Sequence, residues 1–385
     1  MEKISHNETA YWLALVNNSG LKLGQVKPIA QQWHLMEGKS IIQLFNLSVT
    51  ELSLRFNLTE AEARGVLKAA ETHQAQLALL DKWQAQGIHL LTLSHPHYPT
   101  RLIHSLPPKQ QPLLLWAKGN TERLSEPTVT FLGKSEPGAE AINFVQDLSA
   151  ILVVETIGVV SGYGKGLDRI AFESVLADEN GFAVAVLPMG LLAFRQLTAK
   201  LDEPVNKGQT VLLSPFAPDT PYKENLAEAR NLLVDSLALA LLVPEADEMA
   251  LARAKAALER GMPVLVGMTD SPENRALIAD GAFLMTDPGE VVEMVQQAII
   301  DEALQVQLAQ TPASEALPPS SAQTSQLSLL GGEDDYALGT ETADLLPANE
   351  ALNVLSTLGN VPDSLRARLM AMEAQQKKPK TKKEK

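Results

Sequence analysis

The sequence predicts an α/β protein: a doubly wound, mostly parallel sheet preceded by a small helical N-terminal domain. Three observations carry that expectation. Short, β-rich apolar runs recur at 129–132, 157–160, 182–187, 210–214, 237–243, 263–268 and 282–286. Helix-like stretches at 139–153, 167–177, 225–235 and 249–260 lie between them. The runs are apolar at nearly every residue rather than alternating, as strands are when helices cover both faces of a parallel sheet. Seven such strands describe a Rossmann-like sheet, in which ligands sit beyond the C-terminal strand edge, where loops lead into helices.

The N-terminal region, 1–88, reads as short helices. Tyr11, Leu13, Leu15, Val16 and Ile29 are spaced for one apolar face, interrupted by the turn-prone stretch 17–20. Thr59 followed by Glu62 forms a capping box ahead of an Ala- and Leu-rich helix. Leu90, Leu91 and Leu93 then mark an extended segment, and a proline-rich stretch at 106–112 leads into apolar residues 113–116. The sheet region runs to 300. Residues 301–348, rich in Pro, Ser, Thr, Gln and acids from 309 onward, read as a flexible acidic linker. Residues 349–385 read as a short helical segment (Leu352, Leu355, Leu358, Leu365, Leu369, Met372) followed by a lysine-rich tail.

Composition excludes several chemistries. The 385 residues include no cysteine, so disulfides, thiolate catalysis and Cys-ligated metal centres are ruled out. All seven histidines (6, 34, 73, 89, 95, 97, 104) precede the strand-rich region, which removes Ser-His-Asp catalysis and the commonest zinc ligand from its loops. His95 and His97 flank Pro96, with no companion metal ligand apparent. No metal or cofactor is expected. The N-terminus shows no secretory pattern and no apolar stretch is long enough to span a membrane, so a cytoplasmic protein is expected.

Charge is the discordant feature. With 32 Lys and Arg against 46 Asp and Glu the net charge is −14, and 125–300 alone holds 12 basic and 25 acidic residues. Such a region cannot attract nucleic acid through a broad positive field. An anionic ligand there depends on a few placed cations and backbone amides.

The segment best suited to that task is Ser161-Gly162-Tyr163-Gly164-Lys165-Gly166, between a strand and a helix. Glycines let backbone amides approach an anion, the helix N-terminus adds partial positive charge, and Lys165 can neutralise a phosphate. The spacing matches neither GxGxxG nor the Walker pattern, and a glycine-rich packing turn is the plainer alternative. Asp168, just inside the helix, reads as a structural N-terminal carboxylate. Lys134 and Ser135 follow the first strand of the sheet, and Arg230 with Asn231 lies on the helix before the fifth.

The order of these segments resembles the DNA-processing protein A family. Tyr11-Trp-Leu-Ala-Leu15 with Ser19-Gly-Leu21 is similar to the family's opening helix. The stretch from His97-Tyr-Pro-Thr-Arg-Leu102 through Pro107-Pro108 to Gly119-Asn120 resembles its "YPxxL…PPxxLyxkGn" lead-in. Residues 161–168 with Ala171 match "SGLARGIDxxAH", Lys165 standing for the usual Arg, and Asn274, Leu277, Ile278, Gly281 and Ala282 match "NxLIxxGA". The resemblance implies a small helical (SAM-like) domain over 1–88 and an extended Rossmann-like domain over 89–300. It also implies a homodimeric, non-enzymatic protein that binds single-stranded DNA and delivers it to the RecA recombinase. By position the implied contacts are Lys134, Ser135, Ser161, Gly162, Gly164, Lys165, Gly166, Arg230 and Asn231. The chain departs from the pattern at Leu232, where the family has the second Arg of "RNR", and at Phe172, where it has His. It departs again at Ser135, the arginine position of "GSR", and at 247–254, where "KSGSxxTA" is shortened and lacks its glycine. A nucleotide-binding Rossmann protein is the alternative, although its "PGGxGT" loop is absent, and an interaction scaffold with decayed loops is another.

Overall fold

The computed structural model describes residues 6–193 and 195–310. Helices come first: α1 (His6–Asn18), α2 (Leu23–Ala30), a π-helical continuation at Gln31–Met36, α3 (Ile41–Leu44), α4 (Val49–Phe56), α5 (Glu60–Ala69) and α6 (His73–Gln84). Local signals set their ends. Ser48 with Glu51 and Thr59 with Glu62 form capping boxes at α4 and α5, and Asn57, in the left-handed region at φ 52°, turns the chain between them. Trp12, Leu13, Leu15, Ile41, Leu44 and Leu52 are fully buried, so the helices hold together by an apolar interior.

The sheet begins with β1 (Ile88–Thr92), followed by α7 (Arg101–Ser105) and β2 (Leu114–Lys118). Next come β3 (Thr128–Phe131), α8 (Ala139–Val154), β4 (Gly158–Ser161), α9 (Leu167–Val175), β5 (Ala183–Val186), α10 (Arg195–Asn206) and β6 (Thr210–Ser214). The remainder is α11 (Glu224–Leu237), β7 (Leu241–Val243), α12 (Glu248–Glu259), β8 (Val264–Gly267), α13 (Pro272–Ala279), β9 (Phe283–Met285) and α14 (Pro288–Gln310).

The strand order is β1-β2-β6-β5-β4-β3-β7-β8-β9. Strands β3 to β9 pair in parallel, and β1 and β2 add an antiparallel edge, with Leu90 opposite Trp116 and Trp116 opposite Ser214. Every residue of β3, β4, β5 and β6 is buried, as the continuous apolar runs require. The chain walks outward from β3 to β6. Helix α11 then returns it to the other flank of β3, where β7, β8 and β9 extend the sheet. This is the doubly wound α/β fold expected, and its direction reverses between β3 and β7. The loops leaving those two strands therefore diverge and open a crevice at the C-terminal edge.

Three local readings change. The run 237–243 divides, because Leu237 ends α11 and only 241–243 form a strand. Helix α10 is hidden in sequence by Pro204 inside it. Residues 301–310, assigned to the linker by composition, continue α14, since Glu, Ala, Leu and Gln there are strong helix formers. The rest of the linker, the short helical segment and the lysine tail lie outside the described residues. The residues through Ala298 form one compact unit.

Candidate nucleic-acid interface

The glycine loop joins β4 to α9 at the C-terminal sheet edge. Ser161, fully buried at the end of β4, accepts a hydrogen bond from the Tyr163 amide through Oγ at 2.7 Å. Tyr163 adopts φ 54°, a left-handed conformation that costs a non-glycine residue about 1–2 kcal/mol. Its ring is held from two sides: Phe172 meets it edge-on at 5.0 Å and the Arg169 guanidinium lies 4.6 Å over it. Arg169 also donates to the Tyr163 carbonyl at 3.1 Å. The strain at Tyr163 is thus supported by contacts from α9.

Asp168 turns back on the loop, its Oδ2 accepting from the Gly164 amide at 2.8 Å. Its other oxygen, Oδ1, is buried and finds no hydrogen-bond partner within the described protein. Gly166 has φ 78° and precedes the first residue of α9, packed so tightly against the Lys134 carbonyl that a side chain has no room. The Leu167 amide bonds that carbonyl at 3.3 Å. Among the described residues no hydrogen bond engages the amides of Lys165 and Gly166, and the exposed Lys165 ammonium has no ion-pair partner. Those groups sit at the N-terminus of α9, where an anion is favoured.

Arg230, midway along α11, lies directly against Gly162. A Cβ there would fall within bonding distance of the guanidinium. Arg230 Nη1 donates to the Val186 carbonyl at 3.3 Å, while Nε is buried without a partner in the described protein. Burial pulls the guanidinium below its ordinary range, opposed by the charge of Asp168; Arg253 depresses it further and Asp235 raises it. It remains charged, because an arginine starts far above neutral pH. The buried Asp235 is itself paired with Arg253 of α12. Replacing Gly162 with valine should therefore displace Arg230. We expect about 1–3 kcal/mol lost from unfolding in denaturant, together with loss of oligonucleotide binding by anisotropy.

The residues expected to bind divide into groups. Ser161, Gly162, Gly164, Lys165 and Gly166 form the loop, and Asp168 and Arg230 close on it. Lys134 has another engagement: its Nζ pairs with Glu245 Oε1 at 2.6 Å. Glu245 follows β7, and its Oε2 accepts from the Gly138 amide at 2.8 Å, at the start of α8. The Gly138 amide and Lys134 hold the Glu245 carboxyl below its usual range, while Glu245 raises the Lys134 ammonium. A carboxylate of the protein thus occupies the crevice between β3 and β7. Ser135 is exposed, and its backbone packs against Gly166. Asn231 follows Arg230 but points away from it by about 100° around the helix, and its side chain has no hydrogen bond to a described residue. Sequence reasoning missed Glu245, Arg169 and the Arg253–Asp235 pair. The one available signal for Glu245 was an acidic residue two positions after an apolar strand, beyond Pro244.

Among the described residues no group of three or more His, Asp or Glu is arranged to hold a metal ion, and no helix is long and apolar enough to cross a membrane.

Comparison with known proteins bears on the same region. The model of the DNA recombination-mediator protein A family matches residues 89–296. Protein Smf of Escherichia coli K12 is 26% identical over 298 residues, 75% of each chain. Protein Smf of Synechocystis sp. PCC 6803 is 26% identical over 247 residues, 63% of this chain and 60% of its own length. The X-ray structure of DNA processing protein A from Streptococcus pneumoniae covers 76% of this chain and 98% of its own, with 22% identity and a TM-score of 0.57, and shares the fold. The match takes in β1 through the start of α14, including the glycine loop and Arg230, and extends over more than half the sequence: the chain belongs to the DNA recombination-mediator protein A family.

Proposed function

We propose that this protein binds single-stranded DNA, without catalysing a reaction on it, and acts in DNA uptake, recombination or transformation. The observation that carries this reading is the charged enclosure of the glycine loop. Arg230 is pressed onto Gly162 with a buried Nε that has no partner among the described residues, and at the other end lie the Lys165 and Gly166 amides, likewise unengaged by described residues, and the Lys165 ammonium. Successive phosphates of one strand are suited to these two contacts. A duplex needs a broad basic face, which a region of 12 basic and 25 acidic residues does not supply. A flexible strand can instead bend one phosphate at a time into a narrow site. Family membership points the same way.

The nucleotide-binding alternative is disfavoured by Glu245. Its carboxylate already caps the start of α8 and neutralises Lys134, where a nucleotide phosphate at the strand-order reversal would sit. In the same reading the chain is a cytoplasmic homodimer that passes its strand to a RecA-type recombinase. The edge strand β9 supports self-association: Phe283 and Leu284 are exposed there, as are Ile278 just before it and Met268 after β8.

Fluorescence anisotropy with a labelled oligothymidylate tests the proposal. Binding should be present at low ionic strength and weaker for duplex; no salt-sensitive binding at all contradicts it. Lys165→Glu should weaken binding about tenfold and reduce the slope of log affinity against log salt by about 0.7.

A further inference from the structure

The loop carries a carboxylate beside the cations that should receive a phosphate, and this arrangement has a consequence for the phosphate's charge. Asp168 and Arg230 border the same short turn. A Cβ on Gly164 would lie 3.2 Å from Asp168 Oδ2, while one on Gly162 would strike the Arg230 guanidinium. The two side chains interact electrostatically but share no hydrogen bond, and each retains a buried atom, Asp168 Oδ1 and Arg230 Nε, without a partner in the described protein.

The neighbouring charges largely cancel. Arg253 is paired with Asp235 and Lys134 with Glu245, and the charge of Arg169, over the Tyr163 ring, is offset by Glu173, which accepts from the Tyr163 hydroxyl at 3.4 Å. What remains at the loop is Arg230 and Lys165, one cation for each of two phosphates, beside the Asp168 carboxylate. A phosphodiester inside a strand carries one negative charge. A terminal phosphate carries about 1.5 to 2 at neutral pH, and its additional charge faces the Asp168 carboxylate in a partly buried site, where repulsion is weakly screened.

We propose that Asp168 is a specificity-determining residue, selecting the singly charged internal phosphodiester over terminal phosphates, free mononucleotides and inorganic phosphate. The proposal rests on the single-strand-binding reading and assigns the class of phosphate taken at that site.

The test is competition against a labelled oligothymidylate bound to the full chain. The competitors are thymidylyl-thymidine (one diester, no terminal phosphate), thymidine 5′-monophosphate and inorganic phosphate. With the wild-type protein the dinucleotide should compete at a concentration about tenfold lower than the monophosphate. In Asp168→Asn, which keeps an oxygen for the Gly164 amide, this preference should vanish: both competitors should bind more tightly, the monophosphate by about tenfold more than the dinucleotide. Equal competition in the wild type, or a preference unchanged in Asp168→Asn, overturns the proposal. Should the variant fail to fold, the wild type decides: a 5′-phosphate on the labelled strand should not improve its binding, and clear improvement overturns the proposal. The underlying reading fails separately, if the labelled strand does not bind at all. Thermal shifts of the wild type then compare dinucleotide with monophosphate directly, and a larger shift with the monophosphate overturns the selectivity.

Discussion

Arg230→Ala should lower affinity for an oligothymidylate about 30- to 150-fold, roughly 2–3 kcal/mol, while leaving the protein folded. The size follows from position. The guanidinium is half-buried on α11, lies against Gly162, and has a buried Nε with no partner in the described protein. A phosphate bound there gains a charge-assisted bond in a poorly solvated place, where such bonds are strongest. The effect on folding should be small because opposing terms meet at this residue. Asp168 and Asp235 favour the charge, whereas burial and Arg253 oppose it. Arg230→Lys keeps the charge without the planar fork and should fall between wild type and Ala. Anisotropy gives the affinities and a thermal melt shows whether the fold is intact. A fall of more than several degrees with Arg230→Ala would make the residue primarily structural.

The second large effect is expected at Glu245, in the opposite sense for binding. Glu245→Ala removes a buried carboxylate that joins Lys134 to the start of α8. Two charge-assisted bonds are lost, so stability to denaturant should drop by about 2–4 kcal/mol. The freed Lys134 and Gly138 amide become a new anion contact, which should strengthen oligonucleotide binding and steepen the salt slope by about 0.7. The contribution also depends on pH. Because its partners hold the Glu245 carboxyl below its usual range, that increment is complete above the unfolded value of about 4.3. It fades only as pH falls through the lower folded value. The wild type should therefore lose this increment in acid, and a plot of stability against pH for Glu245→Ala should lack that step.

How much of this was legible in the sequence depends on the distance over which each feature is determined. The strand–loop–helix unit around 161–168 was readable because its apolar run, glycines and helix start are contiguous. The capping box at Thr59 and Glu62 was readable for the same reason. The parallel pairing of the strands followed from alternating runs and helices, but their order and the antiparallel edge did not. Residues 90–93 and 113–116 are extended segments whose partners are fixed only when β2 meets β6. Lys134 read as a free cation since Glu245, which neutralises it, is 111 residues away. Arg230 was readable as a candidate phosphate contact, but its burial was not, because that depends on Gly162 having no side chain, a relation between two helix-and-loop units. The regional excess of acid was visible at once. Its meaning required the pairs, which commit Glu245 and Asp235 to cations and leave Lys165, Arg230 and Asp168 to define the site.

The central claim is that a narrow site with two placed cations, rather than a broad positive field, holds the strand. The salt dependence of oligothymidylate binding measures this most directly, because each phosphate neutralised on a single strand contributes about −0.7 to the slope of log affinity against log salt. The wild type should give a slope of about −1.4, and Lys165→Glu combined with Arg230→Ala should bring it close to zero. A wild-type slope several times steeper, or one that survives both substitutions, would contradict the account.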